Sequence, residues 1–169
     1  TERARIALDS DLAVVALTPD GKTLAFVGRS GTITFYNTEE GEEDDMIKVP
    51  EGQLDAFGTM AFSPNGRLLA VTTQQGSGAK LWDWKQKKAL RAAPMLPGEL
   101  DQHMRPLVFA GNDVLVMATT VSENQVNGTV KLWDLTTGKV RRLANGEGPA
   151  PGNWASALAL SPDGKTLAV

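Results

Sequence analysis

The chain has 169 residues, with 17 Lys and Arg against 20 Asp and Glu, a net charge of -3, one His and no Cys. Without Cys it can form neither a disulfide nor a thiolate nucleophile, and one His cannot build a multi-histidine metal site. No apolar run approaches the roughly 18 residues of a membrane-spanning helix, and the chain lacks the basic excess of a nucleic-acid binder. We therefore expect no catalytic residues, no cofactor, no metal, and neither a nucleic-acid nor a membrane partner.

A turn motif recurs along the chain. It reads Thr18-Pro19-Asp20-Gly21, then Ser63-Pro64-Asn65-Gly66, then Ser161-Pro162-Asp163-Gly164, with a degenerate copy within 109–118. The first two prolines are 45 residues apart and the third follows 98 residues later, which corresponds to two periods of about 49. Proline fixes φ at the second turn position, Asp or Asn bonds back to the backbone, and Gly takes a positive φ. Each copy therefore predicts a hairpin.

Short β-branched and apolar stretches between these turns predict strands, and no long stretch keeps the 3.6-residue period of a helix. A strand near 3–8 has the character of an outermost strand, and 12–17 and 24–27 are expected to be buried on both faces. Three quartets and a final pair follow, which predicts radial repetition. The predicted strands are 13–17, 23–27, 32–36 and 46–49; 59–62, 68–72, 79–82 and 89–92; 107–109, 114–119, 129–133 and 140–143; 156–160 and 166–169.

A second marker runs in step with the turns. Tyr36-Asn37, Trp82-Asp83 and Trp133-Asp134 lie 46 and 51 residues apart. The stretches 80–83 and 131–134, which both read Lys-Leu-Trp-Asp and follow the turns, resemble WD40 repeats of a β-propeller. The resemblance covers nearly the whole chain. It implies an all-β fold of blades with four antiparallel strands, innermost first, and places Tyr36, Trp82 and Trp133 on the third strands of successive blades.

The sequence departs from the WD40 pattern in two respects. Many WD40 blades carry a hydrogen-bonded set of His, Ser or Thr, Asp and Trp, but this chain has no Gly-His pair, so Trp82 and Trp133 are expected to pack without that network. The blades implied are about 11–50, 56–93 and 105–144, with a partial fourth blade at about 154–169. We expect an incomplete ring that belongs to a longer propeller, whose missing blades would be partners, or else a ring closed by self-association.

Two polar segments have structural interpretations. The acidic run 39–45 lacks the spacing of a calcium loop, so we expect a solvated turn between the third and fourth strands. Its counterpart in the next blade holds Lys85, Lys87, Lys88 and nearby Arg91, and the two patches are expected to attract each other weakly. The Gly- and Pro-rich stretch 145–152 is expected to be a loop between blades rather than a phosphate cradle.

The resemblance implies a binding face around the central channel, formed by loops that enter the innermost strands and loops that join second to third strands. Aromatic and Arg side chains dominate binding hot spots, so Trp154 and Phe57 are of most interest. The insertion 121–126 is longer than its counterparts and is a candidate binding loop. The candidate partner-binding residues are Arg29, Phe57, Gln74, Gln75, His103, Arg105, Glu123, Asn124, Gln125 and Trp154.

The function that follows is a non-catalytic interaction scaffold in the cytoplasm that binds protein or peptide partners through this loop face. One alternative is a regulatory or sensor propeller domain of a larger enzyme or signalling protein. Another is a periplasmic propeller, because Pro19 to Phe26 also resembles the TolB-like repeat, although the Trp-Asp pairs weigh against it. Fold resemblance alone does not choose the partner.

Overall fold

The computed structural model describes residues 14–27, 32–49, 58–72, 78–94, 106–119, 129–143 and 157–169. Within these ranges the regular secondary structure consists of strands, so the all-β prediction is confirmed. The predicted strand near 3–8 lies outside the described residues. The strands are β1 (Val14–Leu17), β2 (Thr23–Val27), β3 (Thr32–Asn37), β4 (Glu42–Lys48), β5 (Met60–Phe62), β6 (Leu68–Thr72), β7 (Ala79–Asp83), β8 (Lys88–Ala92), β9 (Leu107–Phe109), β10 (Val114–Thr119), β11 (Thr129–Asp134), β12 (Val140–Arg142), β13 (Ala159–Leu160) and β14 (Leu167–Ala168).

The strands form four antiparallel sheets in chain order. Sheet 1 contains β1 to β4, sheet 2 contains β5 to β8, and sheet 3 contains β9 to β12, each as a simple meander in which consecutive strands pair. Sheet 4 contains the pair β13 and β14. The first strands of successive sheets are in contact, β1 with β5, β5 with β9, and β9 with β13. Four-stranded meanders joined through their first strands are the blades of a β-propeller fold.

Neighbouring sheets pack through apolar side chains from opposite faces. Between sheets 1 and 2, Ile33 and Phe35 of β3 join one buried cluster with Leu69 and Trp82. Between sheets 2 and 3 the corresponding cluster contains Leu81 and Trp133, among other side chains. Because successive residues of a strand point to opposite faces, Leu81 and Trp82 serve two different interfaces. The prediction that Tyr36, Trp82 and Trp133 occupy third strands is confirmed.

Strand β1 differs from its prediction. Val14 and Ala16 pack against the core between sheets 1 and 2. Val15 and Leu17, which point to the other face, are 49% and 53% exposed. The prediction of burial on both faces was wrong for this strand, because no other sheet among the described residues covers that face of sheet 1.

Strand β4 begins earlier than predicted, at Glu42 rather than at residue 46. The acidic residues 42–45 therefore lie on a strand, and the turn before it is confined to 38–41. A bulge between Phe35 and Tyr36 accommodates the pairing of β3 with β4. Acidic residues are poor strand formers in general, but on an outer strand their side chains remain in water, so the ladder forms at little cost.

Candidate partner-binding surface

The ten residues predicted to bind a partner lie outside the described residues. The strand ends that flank them are described. The turns between first and second strands and between third and fourth strands lie at one end of each sheet, which we name the turn end. Because consecutive strands are antiparallel, the segments 28–31, 73–77 and 120–128 join strand ends at the opposite end, the loop end. The segments that lead from one sheet to the next begin and end there as well.

At the turn end, each copy of the turn motif is held by its first residue. Thr23 N donates to Thr18 Oγ1 at 2.9 Å, and that hydroxyl donates to Asp20 Oδ1 at 2.6 Å. Asp20 Oδ1 also accepts from Lys22 N at 3.1 Å. The Thr18 hydroxyl, followed by the Lys22 amide, holds the pKa of Asp20 below its usual value. The Thr hydroxyl therefore closes the turn, a role that the sequence interpretation gave only to Pro, Asp and Gly.

The other copies repeat this arrangement. Leu68 N donates to Ser63 Oγ at 2.9 Å, and the hydroxyl donates to Asn65 Oδ1 at 2.7 Å. In the last copy the Ser161 hydroxyl donates to Asp163 at 2.6 Å and lowers the pKa of that carboxyl. The glycines have the positive φ that the motif predicts, as at Gly21 with φ 73°. A Ser or Thr directly before the Pro was the signal for this role.

The turns of neighbouring sheets lie side by side. Asn65 N in sheet 2 donates to Asn112 Oδ1 in sheet 3 at 2.9 Å. On the other side, Pro19 Cδ lies 3.9 Å from the point where Gly66 would carry a Cβ. The first turns of sheets 1, 2 and 3 therefore form one continuous surface.

Trp84, which the sequence analysis did not single out, joins the turn end to the interface between sheets 1 and 2. Its ring stacks on Phe35 of sheet 1 with centroids 5.0 Å apart, and it meets Phe62 edge to face at 5.6 Å. Its Nε1 donates to Gly66 O at 2.8 Å. In sheet 1, Thr38 occupies the same position, and its hydroxyl donates to Gly21 O at 2.6 Å. The residue after the aromatic-Asx pair thus ties the second turn of its sheet to the first.

The Asp of each Trp-Asp pair caps a turn. Asp134 Oδ1 accepts from Thr136 N at 2.9 Å and from Thr137 N at 2.8 Å. The Thr137 amide holds the pKa of Asp134 below its usual value. Trp133 is fully buried, and its Nε1 has no hydrogen-bond partner within the described part of the chain. Whether Trp82 and Trp133 pack without the WD40 network stays a prediction, because the one His of the chain, His103, lies outside the described residues.

Acidic side chains of sheet 1 form ion pairs with lysines. The predicted attraction between acidic and basic patches is present as an ion pair between Asp45 and Lys87 at 2.5 Å, although Asp45 lies on β4 rather than in a turn. Lys87, followed by the Met46 amide, lowers the pKa of Asp45. A second pair, Lys22 with Glu39 at 3.1 Å, lies within sheet 1.

The described ranges contain no group of three or more His, Asp or Glu side chains placed to hold a metal ion. They also contain no helix with the length and apolar character needed to cross a membrane.

Comparison with known proteins gives relatives for most of the chain. The chain matches no protein-family model. It is 30% identical over 162 residues to telomerase protein component 1 of Mus musculus, over 94% of this chain and 5% of that protein. It is 24% identical over 131 residues to small ribosomal subunit protein RACK1y of Oryza sativa subsp. japonica, over 72% of this chain and 34% of that protein. These relatives are of the WD40 type, and the chain spans only a minor part of their length.

A solved structure, Kuenenia stuttgartiensis hydrazine synthase, is similar in fold. The TM-score is 0.66 at 18% identity, over 96% of this chain and 44% of that chain. At this identity the likeness concerns the fold alone. It agrees with the propeller-type arrangement of the sheets.

Proposed function

We propose that this chain is part of a WD40-type β-propeller that binds protein or peptide partners through its loop end and performs no catalysis. The blades proposed are about 11–50, 56–93, 105–144 and, in part, 154–169. The observation that carries the proposal is the serial packing of three four-stranded sheets through their first strands. This packing aligns successive strand ends, so that connections from different sheets can contribute to one binding surface.

The turn end supports the same assignment. The hydroxyls of Thr18, Ser63 and Ser161 accept main-chain N–H bonds that hold its turns, and the Asn65 amide joins two of the turns across a sheet boundary. A frame fixed at one end can hold variable segments at the other without losing its packing, which is how many repeat proteins present binding loops.

The relatives support a role in assembly. The name of the rice relative places that protein in the small ribosomal subunit. We infer an assembly role for this chain as well, with the cytoplasm as its compartment. The proposed contact residues are those of the loop end, with Phe57, Arg105 and Trp154 as the anchors, because buried aromatic and Arg side chains contribute most to interfaces.

The test compares two triple variants by quantitative affinity capture. Phe57→Ala/Arg105→Ala/Trp154→Ala changes the loop end, and Arg67→Ala/Gln86→Ala/Lys165→Ala changes exposed positions at the turn end. We expect the unchanged chain and the turn-end variant to retain the same specific proteins. The loop-end variant should lose these proteins. Circular dichroism must show that both variants remain folded. Loss of the same proteins from the turn-end variant, or from neither variant, would contradict the proposal.

A further inference from the structure

The outer strands of sheets 2 and 3, with the turns before them, carry a concentration of positive charge that the whole chain does not have. We name this surface the basic rim. The outer strand of sheet 1 has the opposite character, since residues 42–45 are all acidic while the chain as a whole has a net charge of only -3. The basic rim consists of Lys85, Lys88, Arg91, Lys139, Arg141 and Arg142.

Two charges of the rim, those of Lys88 and Arg141, are open to a partner. The neighbouring carboxylates cap turns, since Asp83 accepts from Gln86 N at 3.0 Å and Asp134 accepts from two threonine amides. Lys87 is already paired with Asp45 and is not counted in the rim. Among the residues that the structure describes, Lys88 and Arg141 have no ion-pair partner. Both are exposed.

The rim is continuous across the boundary between sheets 2 and 3. Arg91 on β8 donates through Nη1 to Leu135 O in the turn before β12, at 3.0 Å. The same nitrogen lies 3.5 Å from the point where Gly138 would carry a Cβ. This contact fixes the two halves of the rim relative to each other, so that a ligand meets a preformed charge pattern.

The rim also has open main-chain hydrogen-bonding groups. β8 and β12 are the outer strands of their sheets, and no other described strand pairs with their outer sides. All five residues of β8 are exposed, including Leu90, which is 43% exposed. Leu143, directly after β12, is 38% exposed. An edge strand with unpaired N–H and C=O groups can accept an extended segment as an additional strand.

We propose that the basic rim binds an extended acidic segment of a protein partner, which pairs with β8 while its carboxylates meet the rim and an apolar side chain covers Leu90. The charge of the rim specifies an acidic ligand, and the open strand edge specifies a polypeptide. A single-stranded nucleic acid would use exposed aromatic rings for stacking, whereas Trp84, the aromatic side chain beside the rim, is buried. The inference rests on the proposed protein-binding function but uses a surface separate from the loop end.

The primary experiment measures fluorescence polarisation of a labelled ten-residue peptide that alternates Glu with Val. We expect Lys85→Glu/Lys88→Glu to weaken binding at least tenfold. The matched control Arg67→Glu/Lys165→Glu makes the same change in charge at the turn end and should leave binding within twofold. Equal losses of affinity in the two variants would mean that binding depends only on the net charge of the chain, and would overturn the proposal. Binding should also weaken as the salt concentration rises.

A second measurement tests the strand pairing separately from the charge. The same peptide with alternate backbone nitrogens methylated keeps its carboxylates but loses half of its main-chain donors, and we expect at least tenfold weaker binding. Undiminished binding would overturn the strand addition, and tighter binding of a ten-nucleotide oligothymidine would overturn the assignment to a polypeptide. The loop-end triple variant should bind the peptide normally. If only the peptide-binding tests of the rim give a negative result, the proposed function is therefore not contradicted.

Discussion

Trp84 is the side chain whose removal should weaken the packing of sheets 1 and 2 most clearly. It is 8% exposed, stacks on Phe35, touches Phe62 and donates to Gly66 O. Removal of a buried Trp to Ala costs about 3–5 kcal/mol of unfolding free energy. Trp84→Phe keeps a ring for stacking but loses the bond to Gly66 O and some volume, so we expect a cost of about 1–2 kcal/mol.

Urea denaturation followed by circular dichroism measures both variants, since the midpoint shifts in proportion to the loss when the slope is unchanged. The control is Lys85→Ala. This neighbour is exposed and its Nζ lies 5.4 Å from the Trp84 ring centroid, so we expect a loss below about 1 kcal/mol. A loss below about 1 kcal/mol for Trp84→Ala, or equal losses for Trp84→Ala and Trp84→Phe, would refute the assigned contacts.

Three features of the turns can be tested by substitution. Ser63→Ala should cost about 1–3 kcal/mol, because it leaves the Leu68 amide without its acceptor, whereas Asn65→Asp should leave the urea midpoint nearly unchanged. Lys87 has φ 55°, so Lys87→Gly should relieve backbone strain and raise the melting temperature. Because the substitution also removes the ion pair with Asp45, the melting temperature should depend less on salt. A lowered melting temperature would contradict this prediction. Asp20 and Asp134 have lowered pKa values in the folded state, so the stability they confer is present above the unfolded value near 3.8 and is lost as pH falls through the folded values. Acid titration of Asp20→Asn/Asp134→Asn should show a shallower loss of stability below pH 4 than the unchanged chain, and an identical profile would count against the turn hydrogen bonds.

The sequence predicts most of the strands because their ends are set by local chemistry. β2, β6, β9 and β10 begin and end where expected, since a turn or an Asx cap fixes at least one end of each. β4 was placed too late because strand propensity counts acidic residues as unfavourable, whereas the outer position of β4 leaves those side chains in water. Propensity alone does not reveal which strand will be the outer one.

The parts that could not be predicted depend on contacts between sheets. The exposure of Val15 and Leu17 depends on whether another sheet packs on that face of sheet 1. No local pattern in the sequence shows which faces have such a neighbour. The role of Trp84 was hidden for the same reason, because its partners Phe35 and Gly66 lie far from it in the sequence. The ten candidate binding residues rest on the resemblance, and their placement stays a prediction.

One position on the outer strands explains why neighbouring sheets can carry opposite charges. Asp45 pairs with Phe35 across sheet 1, and Arg91 pairs with Leu81 across sheet 2, so the two residues occupy equivalent positions. Asp45 reaches Lys87 in the second turn of the next sheet, and Arg91 reaches the Leu135 carbonyl in the second turn of the sheet after that. In sheets 1 and 2 the side chain at this position bonds to the following turn, and its charge matches what that turn offers. This geometry does not fix the sign of the charge on each outer strand. A chain whose net charge is negative can therefore carry a basic rim.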